Sequence, residues 1–221
     1  MGVNVDKSQL RTVTAQLANP SGELGAEISI KMNDTNAFIT ARTIEALAPS
    51  PGDCIVEIGP GNGALSCGLV QTIGAEGRYL GIEISEEMAQ VCKKMLRDIS
   101  EARINVHAGD CDTASVANAS ITGLMAVNVL YFVEDLDGLL ARIRPWFKPH
   151  GRCVFGIRPA RTLESLRFHD FGYHIRSPEE IIDAMQAQGF GEISMTHYDE
   201  GEGRLGDIAF PNGSIIIKAS V

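Results

Sequence analysis

The rhythm of apolar residues along the chain changes at Gly52. The first fifty residues read as helical, including residues 34–48 with Phe38, Ile39, Ile44 and Leu47 as apolar members, and Pro49, Pro51 and Gly52 stop the run. Beyond it, short apolar runs alternate with amphipathic stretches. Residues 54–58 are an apolar run ending in glycines, the pattern of a buried parallel strand. A helical stretch at 62–73 and a second strand at 78–84 follow. Ser85 offers an N-cap ahead of Glu86 and Glu87, and Met88, Val91, Cys92, Met95 and Ile99 give the next helix one apolar face. Residues 103–108 and 123–129 read as the third and fourth strands. Leu136, Leu139, Leu140, Ile143 and Phe147 mark another amphipathic helix, closed by Pro149, and 153–157 is the fifth strand.

Ser177, Pro178 and Glu180 open the last helix with a cap, a proline in the first helical position and a capping box, and Gly189 ends it. Two closing strands, 192–198 and 214–219, have no helix between them and are expected to pair as an antiparallel hairpin at one edge. The whole predicts an α/β fold: a Rossmann-like, doubly wound, mostly parallel seven-stranded sheet with an antiparallel C-terminal strand and an N-terminal helical cap. Residues 1–221 are expected to form a single domain, 1–50 the cap and 51–221 the core.

Composition narrows the partners. A 221-residue chain that is 44% hydrophobic and 21% charged can bury a core and is not disordered. The net charge of −9 repels phosphate backbones, so no nucleic-acid partner is expected. The densest basic stretch, Arg142 to Arg167, spreads over a helix and a strand instead of lining one face. Five scattered cysteines, Cys54, Cys67, Cys92, Cys111 and Cys153, lack the spacing of a metal site and read as reduced, packed thiols. The first ten residues show no secretory pattern, Asp6 stands where a myristoylation motif wants Ser or Thr, and no run is apolar enough to span a bilayer. A cytoplasmic protein with no membrane partner is the expectation.

Ligands of doubly wound sheets sit at the carboxyl ends of the strands. The first strand ends in Glu57, Ile58, Gly59, Pro60, Gly61, Asn62, Gly63 and Ala64. Read as Gly-x-Gly-x-x-Ala, with Glu83 twenty residues past Gly63, the run also satisfies a dinucleotide fingerprint. Charge separates the two readings. A dinucleotide would bring a pyrophosphate against Glu57, whereas S-adenosylmethionine brings an ammonium and a sulfonium that a half-buried carboxylate attracts. The alternative for Glu57 alone is an ion pair with a lysine or arginine elsewhere in the chain.

The run from Cys54 to Gly63 resembles motif I of class I S-adenosylmethionine-dependent methyltransferases, in particular small-molecule, type 11-like members. The resemblance covers roughly residues 33–219. It implies S-adenosylmethionine as cofactor, held by Glu57, Gly59, Pro60, Gly61, Asn62 and Gly63. It implies further that Glu83, followed by Ile84, accepts the ribose hydroxyls, and that Gly109, Asp110 and Cys111 meet the adenine edge, with Asp110 accepting from the exocyclic amine. Asn128 to Asp135 resembles the strand-four segment of the small-molecule members, with Asn128 lining the cofactor. Amino-methylating members carry Asp/Asn-Pro-Pro-Tyr here. This chain keeps Asn128 and Tyr131 but has Val129 and Leu130 in place of the prolines, which argues against DNA or protein amide methylation. Tyr131 is then an aromatic wall of the acceptor site, a position that packing explains equally well. Asn36, in a segment resembling a cap, is placed to bond the methionine carboxylate, although helix capping by Asn33 or Asp34 accounts for much of that polarity.

Methyl transfer needs alignment and, for an alcohol or activated carbon, a base. Residues 158–176 lie where such enzymes contact the acceptor. His169 is the first candidate base and His174 the second, against the alternative that both are ordinary loop histidines; His107 and His197 fall on strands and read as structural. The expected activity is methyl transfer to a small-molecule acceptor with the oligomeric state open. The competing readings are an NAD(P)-dependent oxidoreductase and a catalytically silent S-adenosylmethionine-binding partner subunit.

Overall fold

The computed structural model describes residues 7–166, 168–205 and 208–221, without the side chains at 7–10, 168, 169, 205 and 208. Seven strands form one sheet: β1 (Cys54–Ile58), β2 (Arg78–Glu83), β3 (Arg103–Ala108), β4 (Ile121–Val127), β5 (Phe147–Ile157), β6 (Gly191–Leu205) and β7 (Ile208–Ser220). Their order is β3-β2-β1-β4-β5-β7-β6. The first five run parallel to their neighbours, and β7 enters antiparallel between β5 and the edge strand β6. The order reverses between β1 and β4, which makes the carboxyl ends of these two strands the switch point where ligands of such sheets bind.

Alternating residues of each inner strand feed two cores. Val56 and Ile58 join Leu124, Ala126, Cys153 and Phe155 under α5 (Leu136–Ile143) and α7 (Pro178–Ala187). Ile55, Met125 and Val154 join Ile39, Leu47, Leu69 and Leu96 under α2 (Gly22–Leu47), α3 (Cys67–Ile73) and α4 (Glu86–Ile99). Ile39, Leu47 and Leu69 are fully buried, each contributing about 1.5–3 kcal/mol by transfer from water. A third cluster of Tyr131, Leu163, Leu166, Tyr173 and Phe210, with Leu17 of α1 (Lys7–Ala18) against it, joins α6 (Ala160–Ser165) to the tip of the hairpin.

The hairpin is longer than its apolar pattern. Pairing of β5 with β7 stops at Ile157↔Ile215, while β6 and β7 stay paired to Leu205↔Ile208, so a two-stranded arm extends past the end of β5. The helix expected to run to Phe147 stops at Ile143. Pro145 cannot donate to an α-helical ladder, the chain tightens to a 3-10 turn at Arg144–Trp146, and Phe147 opens β5. At the amino end, α2 begins at Gly22, well before the segment that its apolar residues mark. No helix of the described residues is long and apolar enough to cross a membrane.

Candidate active site

The loop after β1 turns on glycines that cannot carry a side chain. Gly59 has φ +72°, and a Cβ there would come within 2.6 Å of Val129 Cγ2; Gly63 has φ +81°, and its Cβ would meet Cys92 Sγ at 2.8 Å. The backbone therefore lies close against both the β4 loop and α4. Nothing lies within 4 Å of a Cβ built on Gly61, so the crest of the loop faces open space.

Glu57 lies on the α3 side of β1 and is 4% exposed. Its Oε2 accepts from Ser66 Oγ and from the Tyr79 hydroxyl, both at 2.7 Å, and its Oε1 accepts from no described residue. Burial pushes its pKa up, the two hydroxyls pull it back, and the charge of Glu83 raises it further. Glu83, 5% exposed at the end of β2, accepts from Ser85 N and Gly61 N at 2.9 Å. Burial raises its pKa as well, against backbone bonds from Ser85, Gly61 and Ile84. Neither carboxylate has a lysine or arginine partner among the described residues, which removes the internal ion pair as an explanation of Glu57.

The neighbouring positions divide into those facing outward and those folded in. Ile84 is 56% exposed, an apolar side chain on the surface beside Glu83. Asp110 is exposed after β3; its Oδ1 collects the Asp112 and Thr113 amides and the Thr113 hydroxyl, which hold its carboxyl below the usual range, while Oδ2 keeps its lone pairs. Cys111 turns its side chain into the core, where burial pushes the thiol to about 12. Asn62 Oδ1 caps Ala64 N, and its amide reaches Ser29 of α2 at 3.4 Å.

The amino-terminal part of α2 reaches the carboxyl ends of β1, β4 and β5. The turn before it docks on α4, with Ser85 Oγ donating to Pro20 O and Gly22 N to Glu87 Oε2. Ser29 meets the glycine loop, and Asn36 Oδ1 accepts from Asn128 Nδ2 at 2.8 Å. Asn128 lies one residue beyond β4 with φ +57°, and its Oδ1 accepts from the Tyr131 hydroxyl. Asn36, Asn128 and Tyr131 are thus brought together, bonded to one another. Burial pushes the Tyr131 phenol above its ordinary range, so it stays protonated and serves as a donor.

Arg158, at the end of β5, was not legible as a site residue. It is 7% exposed and ion-paired to Glu200 at 2.7 Å. The same guanidinium donates to Thr35 O, Asn212 Oδ1 and Gly213 O, and reaches Asn36 Oδ1 at 3.5 Å. An arginine directly after a buried apolar strand is the signal that a partner must exist, because an unpaired charge there costs several kcal/mol. The backbone of His169 lies in a 3-10 turn, Phe168–Phe171, and its side chain is outside the described residues. His174 is half-buried; its amide donates to Tyr131 O at 2.8 Å, and its ring forms no hydrogen bond with a described residue.

Residues 56–155 match a family model described as a methyltransferase domain. This segment is similar to that domain. It contains the glycine loop, Glu57, Glu83, Asp110 and Asn128, and it excludes α2 and the arm. The chain is 39% identical over 90 residues to a ribosomal RNA small subunit methyltransferase A from a Burkholderia species, spanning 31% of that protein's length. It is 23% identical to a nocamycin O-methyltransferase from Saccharothrix syringae, over 73% of this chain and 67% of the relative. The methyltransferase fold extends further than the family match. A geranyl diphosphate C-methyltransferase from Streptomyces coelicolor, solved with Mg2+, geranyl diphosphate and S-adenosyl-L-homocysteine, superimposes with a TM-score of 0.69 over 93% of this chain and 88% of its own at 15% identity.

Proposed function

We propose that the chain transfers a methyl group from S-adenosylmethionine to a small organic acceptor. The observation that carries this reading is the pair Glu57 and Glu83: two buried carboxylates at the ends of adjacent strands, flanking a glycine loop, with no basic partner among the described residues. Such a site fits a cationic nucleoside and disfavours a pyrophosphate. The cofactor supplies a methyl group on a sulfonium. Glu57 Oε1, the oxygen left over by Ser66 and Tyr79, would take its ammonium. Glu83 would accept the ribose hydroxyls on its remaining lone pairs, Ile84 would lie against the adenine, and Asp110 would accept the adenine amine.

On the acceptor side, Tyr131 keeps its proton and is oriented by Asn128, so its part is to wall and align the acceptor. His174, whose amide donates to Tyr131 O, has a ring bonded to no described residue and is the candidate for removing a proton where the acceptor carries one. The net charge of −9 supports a small molecule over nucleic acid. Calorimetry with S-adenosylhomocysteine and with NADH tests the donor, and labelled-methyl transfer to a small-molecule extract, with ribosomal RNA in parallel, tests the acceptor. Binding of NADH without S-adenosylhomocysteine would refute the proposal, and label confined to RNA would refute its acceptor half.

A further inference from the structure

Side-chain amides form a hydrogen-bonded chain past the carboxyl end of β4, and Arg158 decides which way it runs. Asn36 Oδ1 accepts from Asn128 Nδ2 at 2.8 Å, and Asn128 Oδ1 accepts from the Tyr131 hydroxyl. An amide can turn over in place, exchanging oxygen for nitrogen, so the pair has a second arrangement of the same shape. In it Asn36 would donate to Asn128, and the Asn128 nitrogen would donate to the Tyr131 hydroxyl oxygen. The guanidinium of Arg158 separates the two, because it only donates. Its Nη2 donates to Thr35 O at 2.7 Å, the carbonyl of the peptide leading into Asn36, and comes within 3.5 Å of Asn36 Oδ1. Turning Asn36 over would set its N–H groups against that cation. Nη1 is held on the other side by Glu200, Asn212 Oδ1 and Gly213 O, so the guanidinium is fixed in place. With its oxygen facing both donors, Asn36 keeps an Nδ2 that donates to no described residue.

Both neighbours of Asn36 border the glycine loop. Asn128 precedes Val129, whose Cγ2 would lie 2.6 Å from a Cβ at Gly59. Two helical turns before Asn36, on the same face of α2, Ser29 accepts from Asn62 of that loop. From this arrangement we infer that Arg158 is a positioning residue for the methyl donor: it holds the Asn36 amide with Nδ2 presented to the donor's amino-acid carboxylate. The inference rests on the methyl-transfer reading above and assigns the residue that sets the hydrogen-bond polarity of that same site. Charge gives the reason. Glu57 and Glu83 suit the cationic parts of the donor but repel its carboxylate, which therefore needs an N–H donor of its own. An asparagine free to turn over offers that carboxylate its oxygen in one of two states, and Arg158 removes that state without touching the ligand.

The test titrates two nucleosides into the full chain by calorimetry: S-adenosylhomocysteine and its decarboxylated form, which keeps the ammonium and lacks only the carboxylate. The wild-type chain is expected to prefer S-adenosylhomocysteine by about tenfold or more, the effect of a hydrogen bond to a charged group. Arg158→Lys should cut that preference at least about threefold, because one ammonium cannot serve Glu200 and Thr35 together, while affinity for the decarboxylated form stays within about twofold. Arg158→Gln combined with Glu200→Gln is the second variant. It removes the charge together with its partner, strands no buried charge, and should cut the preference as far. Asn36→Asp still accepts from Asn128 and Arg158 but offers no N–H, and should abolish or invert the preference. A wild-type chain that binds both nucleosides equally overturns the inference, as do Arg158 variants that melt as folded proteins yet keep the wild-type ratio. Equal losses for the two nucleosides also overturn it, since they mark a role in folding alone. A wild-type chain that binds neither nucleoside overturns the donor reading itself.

Discussion

The hydroxyl of Tyr79 donates to the same Glu57 oxygen that Ser66 reaches, each at 2.7 Å, and the other oxygen accepts from no described residue. Hydrogen bonds to a charged group are worth about 1.5–3 kcal/mol. Tyr79→Phe should therefore weaken S-adenosylhomocysteine binding by about tenfold or more, since Glu57 loses one of the two donors that favour its charged form. The loss should grow toward acid pH, as the carboxyl protonates more readily. Calorimetric titration from pH 5.5 to 8 reads both effects, and an unchanged affinity across that range would show that Glu57 does not hold the donor.

Glu57 and Glu83 should make the ligand-free protein less stable as pH rises. Both have folded-state pKa values raised above the ordinary value, chiefly by burial, and they face each other along with Tyr79 and Cys92. A group raised in this way stabilises fully below its unfolded pKa and loses that contribution as pH climbs through the folded value. Glu57→Gln should raise the melting temperature near pH 8 and flatten its pH dependence, while lowering donor affinity at least tenfold. Thermal melts of both proteins from pH 4.5 to 8 provide the check.

Asp53 works in the opposite sense. Burial pushes its carboxyl up, but the Thr122 hydroxyl, the Ser50 amide and Arg152 together hold it below the usual value. Its stabilisation is present above the unfolded pKa near 3.8 and fades as pH falls through the lowered one. Asp53→Asn should cost about 1–2 kcal/mol at pH 7 and much less near pH 3, measured by urea unfolding at the two pH values.

Two substitutions at Asn128 separate backbone from side chain. Its φ of +57° suits glycine and strains alanine by about 1–2 kcal/mol. Asn128→Gly and Asn128→Ala both delete the bonds to Asn36 and Tyr131, yet the alanine variant should be about 1 kcal/mol less stable. Equal stability in denaturant melts would mean that the residue leaves the left-handed conformation once its amide is gone.

The bounds of β1 and β3 were legible to the residue, because a short apolar run in β1 and a short alternating one in β3 each end at a glycine. The start of α2 was not, although the stretch was read as helical, since residues from Gly22 onward are largely exposed and present no apolar stripe, Leu24 and Ile30 included. The extension of the hairpin was hidden by glycines that pair as strand at Gly201 and Gly203. Among the candidate site residues, Glu57, Glu83 and Asp110 could be picked out from their places at the ends of successive strands. Their partners could not: Ser66 and Tyr79 meet Glu57 only once α3 and β2 pack on β1, and Arg158 meets Glu200 across 42 residues of chain.

Arg158 ties together α2, the end of β5 and both strands of the arm through a single guanidinium. These segments consequently cannot be exchanged one at a time. A chimaera that imports residues 160–212 from a relative lacking a carboxylate at position 200 would strand a charge in an apolar setting, and breaking such a pair costs about 3–5 kcal/mol. A transplant that keeps this fold intact carries α2, the arginine and the arm as one inherited block.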